Sequence, residues 1–137
     1  MKYLFIILAL IAVLSVITNL PLKTITPTNL ETKTASEGGI TIAVTPQMLG
    51  EGEFSFRLTL DTHAGELDTD LTQVSTLIDD QSRIYKPSGW EGDPPGGHHR
   101  EGILTFGQIA PIPQTLRLTI RQIGGVPERQ FLWITNP

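Results

Sequence analysis

Apolar and polar residues alternate with a period of two over much of this chain, the spacing that turns one face of a β-strand to a core and the other to water. Ile40, Ile42 and Val44 alternate with Thr41, Ala43 and Thr45, and Pro46 is expected to end that strand. Phe54, Phe56, Leu58 and Leu60 alternate with Ser55, Arg57, Thr59 and Asp61 in the cleanest run. Continued, it puts Asp61 and His63 on one polar face, about 7 Å apart along the strand. Residues 74–78 form a short buried run, residues 79–82 a turn, and residues 83–86 the return arm of a hairpin. Residues 87–97 are rich in proline and glycine and are expected to be loop. Leu104 and Phe106 resume the alternation, and Leu116, Leu118 and Ile120 repeat it against Arg117, Thr119 and Arg121. Gly124-Gly125 between Ile123 and Val126 signals a tight hairpin, because both glycines can adopt positive φ. Residues 131–134 are apolar on both faces, which predicts a last strand central to the packing, with the end at Pro127 unpaired. About seven strands, frequent turns and no internal helix or repeat predict an all-β fold, an immunoglobulin-like β-sandwich over residues 39–137.

The start of the chain breaks this pattern. Residues 3–22 carry no charge and are apolar on all sides, preceded only by Lys2. As an N-terminal hydrophobic helix they span about 30 Å, the thickness of a bilayer's hydrocarbon core. Residues 1–22 are therefore a signal anchor or a signal peptide, and the lack of a small-x-small cleavage site favours an uncleaved anchor. This puts the domain outside the cytoplasm, on a single-pass membrane anchor or secreted after cleavage. Residues 23–38 are threonine-rich with few apolar groups and are expected to form an extended linker.

Composition then excludes several classes. The chain has no cysteine, so disulfides, thiolate metal sites, a lipid-anchored cysteine and a blue-copper centre all fall away. The net charge is −4 and no basic face is visible, which argues against nucleic-acid binding.

The residue type that stands out is histidine. All three fall in two places, His63 in L-D-T-H and His98-His99 in G-G-H-H-R. Imidazole is the commonest protein metal ligand, so His63, His98 and His99 are candidate ligands for a divalent metal such as zinc or copper. Asp61 joins them as a ligand or as the carboxylate orienting one ring. Adjacent strand residues point to opposite faces, so His98 and His99 can share an ion only from a loop or bulge, which Pro94-Pro95-Gly96-Gly97 could supply. Trp90 and Arg100 flank the pair and are further candidate binding residues. The plainer alternative is that the histidines bond to backbone and order a loop while Trp90 caps the sandwich edge.

The run Glu66, Asp68, Asp70 has carboxylates at alternate positions but lacks the order of a calcium loop, and a solvated acidic edge accounts for it. Catalysis finds no pattern. Ser88 is not in a nucleophile elbow, and Asp61, Glu91, Asp93 and Glu101 show no acid–base spacing. No enzyme activity is expected.

L-D-T-H at residues 60–63 followed by G-G-H-H-R-x-G-x-L-x-F at residues 96–106 resembles a pattern in uncharacterised exported or membrane-anchored prokaryotic proteins of immunoglobulin-like build. The resemblance covers about half of the folded part. It implies export, a β-sandwich and histidines that belong together. The expected protein is thus a membrane-tethered extracytoplasmic β-sandwich whose histidine-rich loop surface is a candidate site for a divalent metal. The alternative is a structural or protein-interaction module in which the same histidines only order a loop.

Overall fold

A computed structural model describes residues 30–49 and 52–135. These residues form nine strands and one short helix: β1 (Lys33–Glu37), β2 (Ile40–Met48), β3 (Glu53–Thr62), α1 (Leu71–Val74), β4 (Ser75–Asp79), β5 (Ile84–Tyr85), β6 (Pro87–Gly92), β7 (His99–Gln108), β8 (Thr115–Ile123) and β9 (Val126–Ile134). The fold is all-β. Five strands pair in the order β1-β2-β3-β7-β6 and four in the order β5-β4-β8-β9, with every neighbour antiparallel. The chain passes between the sheets after β3, β5 and β7, so neither sheet is built from one continuous stretch.

The period-two residues make the core. Ile42, Val44, Phe54, Phe56, Leu58 and Leu60 from one sheet face Leu77, Leu116, Leu118 and Ile120 from the other, all essentially without solvent contact. Phe56 touches Phe106 edge-on at 5.9 Å and Trp133 of the opposite sheet at 5.4 Å between ring centroids, so aromatic rings join the two layers. Each such side chain contributes about 1.5–3 kcal/mol by leaving water.

Several expectations need correction. The strands number nine among the described residues rather than about seven. One addition, β1, lies within the stretch whose composition suggests a linker. It is an edge strand, held by backbone pairing of Lys33–Glu37 with residues 40–44 across a tight turn at Gly38 and Gly39, both at positive φ. The other, β6, lies in the expected loop. It too is an edge strand, and an edge tolerates a proline at its first position. Pro46 does not end β2: the β1 ladder stops at Val44, and a bulge between Pro46 and Met48 absorbs the missing donor. A short helix, α1, starts where Asp70 accepts a bond from the Thr72 amide at 2.9 Å.

The strand β9 is an edge, not a central strand. Phe131 and Trp133 face the core, while Leu132 and Ile134 are 54% and 60% exposed. Its pairing with β8 continues on both sides of Pro127, through Glu128 with Arg121 and Val126 with Ile123, so that end is paired. Residues 1–22 lie outside the described residues, and among those no helix is long and apolar enough to cross a membrane.

The sandwich has two ends. At one, the β1–β2 turn meets the β8–β9 turn so closely that a Cβ on Gly38 would lie 2.2 Å from the Gly124 carbonyl oxygen. The histidines are at this end, since Thr62 pairs with Ile40 beside that turn and Asp61 pairs with His99. The other end, the base, gathers the β4–β5 turn, residues 109–114 and Thr135: the Gln114 amide donates to Asp80 and the Thr135 amide to Gln114. Leu30, where the described chain starts, is also there, lining one groove with Trp133 and Ile134.

Candidate functional site

The β3–β7 ladder brings distant residues together. Asp61 stands directly opposite His99, and the His99 Nδ1 lies 2.6 Å from an Asp61 carboxylate oxygen. Both side chains are about half exposed. The bond to Asp61 holds the His99 pKa above the ordinary imidazole value, and the negative charge of Asp61, Asp93 and Glu101 adds to it.

The other two imidazoles do not join this pair. His63 sits just past the end of β3, exposed, and His98 is exposed in the loop before β7. Among the described residues neither ring has a hydrogen-bond partner, although the His98 carbonyl accepts from the Thr62 amide at 2.9 Å. No group of three or more His, Cys, Asp or Glu side chains among the described residues is arranged to hold a metal ion. Of the four candidate ligands the fold therefore joins two, Asp61 and His99. The strand pattern sets Asp61 beside His63, but the partner of Asp61 lies across the ladder.

The next residue, Arg100, points inward and is only 2% exposed. Its Nη1 donates to the carbonyls of Leu67 at 3.0 Å and Thr69 at 2.8 Å, its Nη2 reaches the Asp93 carbonyl at 3.4 Å, and its guanidinium carbon lies 5.5 Å from the centre of the Trp90 ring. Its Nε has no partner. Burial pushes the guanidinium pKa down, opposed by the charges of Asp70 and Asp93. Arg100 thus acts inside the fold, tying residues 67–69 to β7.

Backbone bonds reinforce that tie. The Leu67 amide donates to Gly97 and the Gly96 amide to Leu67, both at 2.9 Å, so the two loops pair through the glycines of G-G-H-H. Gly96 and Gly97 take φ of 117° and 72°, conformations that other residues rarely adopt. Trp90 is half-buried, donates from Nε1 to the Asp93 carbonyl at 2.9 Å and crosses Gly102, where a Cβ would lie 2.6 Å from its ring. That agrees with a role as a cap on the sandwich edge.

Two hollows lie at or near this end. A shallow depression of about 530 Å³ on the outer face of the five-stranded sheet is lined by Arg57, Glu91, Asp93, His99, Glu101 and neighbours. Arg57 and Glu101 form an ion pair across it. A cleft of about 330 Å³ opens between the sheets, with Ile40, Leu60, Leu67, Leu71 and Ile123 as its apolar lining and Arg100 at its side. In the acidic run, Glu66 and Asp68 are exposed and Asp70 is spent on Thr72, through both its amide and its hydroxyl. Ser88 donates to the Thr105 carbonyl at 3.1 Å.

Arg57 was visible only as a polar-face residue and Leu67 not at all. Their roles depend on which strands and loops become neighbours, and no local pattern announces that. No family model, no curated protein and no solved structure matches this chain.

Proposed function

We propose that this protein is a membrane-tethered, extracytoplasmic β-sandwich of immunoglobulin-like build that presents its histidine end as a protein-interaction surface. Residues 3–22, as a helix, are the anchor. Of the histidines, only the His99 ring helps to order that surface, pinned by Asp61; backbone bonds stitch the loop before it to residues 62–69. The immunoglobulin-like assignment draws on two antiparallel sheets interlocked by a chain that passes between them.

The observation that carries this reading is polarity. The described chain begins at the base, and the paired loops lie at the opposite end, about 30 Å away along the length of β3. An anchor preceding residue 30 would hold the base toward the membrane and the loops away from it.

The absence of cysteine gives a direct test, because a single introduced thiol is unique. His98→Cys in full-length protein should react with a membrane-impermeant maleimide on intact cells. Reaction only after lysis would end the extracytoplasmic reading. A photo-crosslinking side chain at position 98 should then yield protein adducts that the same group at Glu53, toward the base, does not.

One feature keeps metal binding as a second reading. Asp61 engages Nδ1 of His99, which leaves Nε2 for a ligand, the arrangement in which a carboxylate orients a metal-bound imidazole. Loss of retention on an immobilised-nickel column in a His98→Ala, His99→Ala variant would support it; unchanged retention would remove it.

A further inference from the structure

The large exposed apolar side chains are not spread evenly. Among the described residues they are Ile84, Ile103, Ile112, Leu132 and Ile134, and none lies at the histidine end. Ile103, opposite Arg57, is mid-sheet on the five-stranded layer. The other four belong to the base half of the molecule. Ladder register draws three of them onto one face of the four-stranded sheet: Ile84 pairs with Ile78, Ile78 with Arg117, Arg117 with Leu132, and Ile134 follows two residues after Leu132. Ile112 projects from the loop that Thr135 and Gln114 hold at the base.

We infer that this patch, centred on Leu132 and Ile134, rests against the surface of the phospholipid bilayer. The inference builds on the anchor in the proposed function and adds a second, reversible contact. Three observations point to lipid as the occupant. The groove at the patch is lined by Leu30, Glu31, Lys33, Leu132, Trp133 and Ile134, so the chain leaves the fold beside it. Residues 23–29 reach at most about 25 Å whatever their shape, which keeps the patch within constant reach of a membrane that holds residues 3–22. Finally, the exposed Arg117 stands in the same row as Leu132, where it can meet lipid phosphates while the apolar side chains enter the headgroup boundary. Lys33 is already bonded to Glu31, and Asp80 is also at the base, so the charge there is mixed and the apolar contact carries the binding.

The test uses full-length protein in vesicles of equal parts phosphatidylcholine and phosphatidylglycerol, with single variants Leu132→Cys, Ile134→Cys and Ile103→Cys carrying a nitroxide. Labels at 132 and 134 should collide with lipid-dissolved oxygen and be shielded from a water-soluble nickel chelate; the label at 103 should behave the opposite way. If all three meet the nickel chelate equally while the protein floats with the vesicles, the patch inference falls and the anchor stands. If the protein does not float, the anchor reading fails and takes the patch with it. Spin–spin broadening between labels at 132 would put a second copy on this face and overturn the lipid assignment.

Discussion

The two ends of the sandwich are stabilised by opposite means. At the histidine end a buried cation, Arg100, collects carbonyl oxygens from a loop that has little apolar content. At the base a buried anion, Asp79, collects donors from the turn that follows it and from Tyr85 of β5. Its Oδ1 accepts from the amides of Gln81 and Arg83, both at 2.9 Å; its Oδ2 accepts from Arg83 Nε at 2.6 Å and the Tyr85 hydroxyl at 2.9 Å. Both devices convert irregular backbone into fixed structure. The difference is in what remains outside: charged and imidazole groups at one end, isoleucine and leucine at the other.

The largest effect is expected at Arg100. Arg100→Ala strands two or three buried carbonyls and removes the partner of the Trp90 face, so it should cost roughly 3 kcal/mol, read as a lower urea midpoint. Arg100→Lys should recover little, because an ammonium cannot fork between Leu67 and Thr69 while lying on the indole. If the alanine variant is as stable as the parent, loops 62–69 and 93–98 are held by their backbone bonds alone. At the base, Asp79→Ala leaves buried donors unmet and should cost about 2 kcal/mol.

Asp79 also sets a pH window. Burial by itself raises its pKa, but the bonds from Arg83, Tyr85 and Gln81 outweigh that and hold it below the ordinary carboxylate value. A lowered folded pKa contributes stability above the unfolded value, about 4, and loses it as pH falls through the folded one. Parent and Asp79→Asn should therefore converge in stability under acid and separate near neutrality.

Next comes the glycine seam. Gly92 and Gly102 face each other across β6 and β7, and a Cβ on Gly102 would lie 2.6 Å from both the Glu91 carbonyl oxygen and the Trp90 ring. Gly102→Ala must push β6 outward and should cost about 1–3 kcal/mol, with a red shift in Trp90 emission as the ring becomes wetter.

Much of the fold was legible because strands covered on one face and wet on the other leave a period-two trace. β2 and β3 kept their predicted faces, β8 did so except at Thr119, which is buried between the exposed Arg117 and Arg121, and Gly124-Gly125 turns with φ of 62° and 71° as its type requires. The edge strands were not legible for a common reason. β1 and β6 are held by backbone pairing and need no apolar alternation, so K-T-A-S-E and P-S-G-W-E-G look like linker and loop. β9 misled in the other direction: F-L-W-I is apolar on both faces, which suggests a strand buried on both sides, yet its outer residues stay exposed. The Asp61–His99 pair joins residues 38 apart in sequence, and only the β3–β7 register makes it.

That pair carries the smallest predicted effect and the one that best separates the ends. It lies in solvent, so screening leaves it modest. Its sign is nonetheless opposite to that of Asp79. A raised folded pKa means that the interaction is fully present below the unfolded imidazole value, about 6.5, and is lost as pH rises through the higher folded value. Asp61→Asn should therefore lower the melting temperature slightly at about pH 5.5 and leave it unchanged at about pH 9. By proton NMR, the His99 ring should titrate above the ordinary imidazole value in the parent and fall toward that value in Asp61→Asn. A His99 ring that titrates at the ordinary imidazole value in the parent would mean that Asp61 does not hold it, and the loop before β7 would then owe its order to Arg100 and the Leu67 bonds.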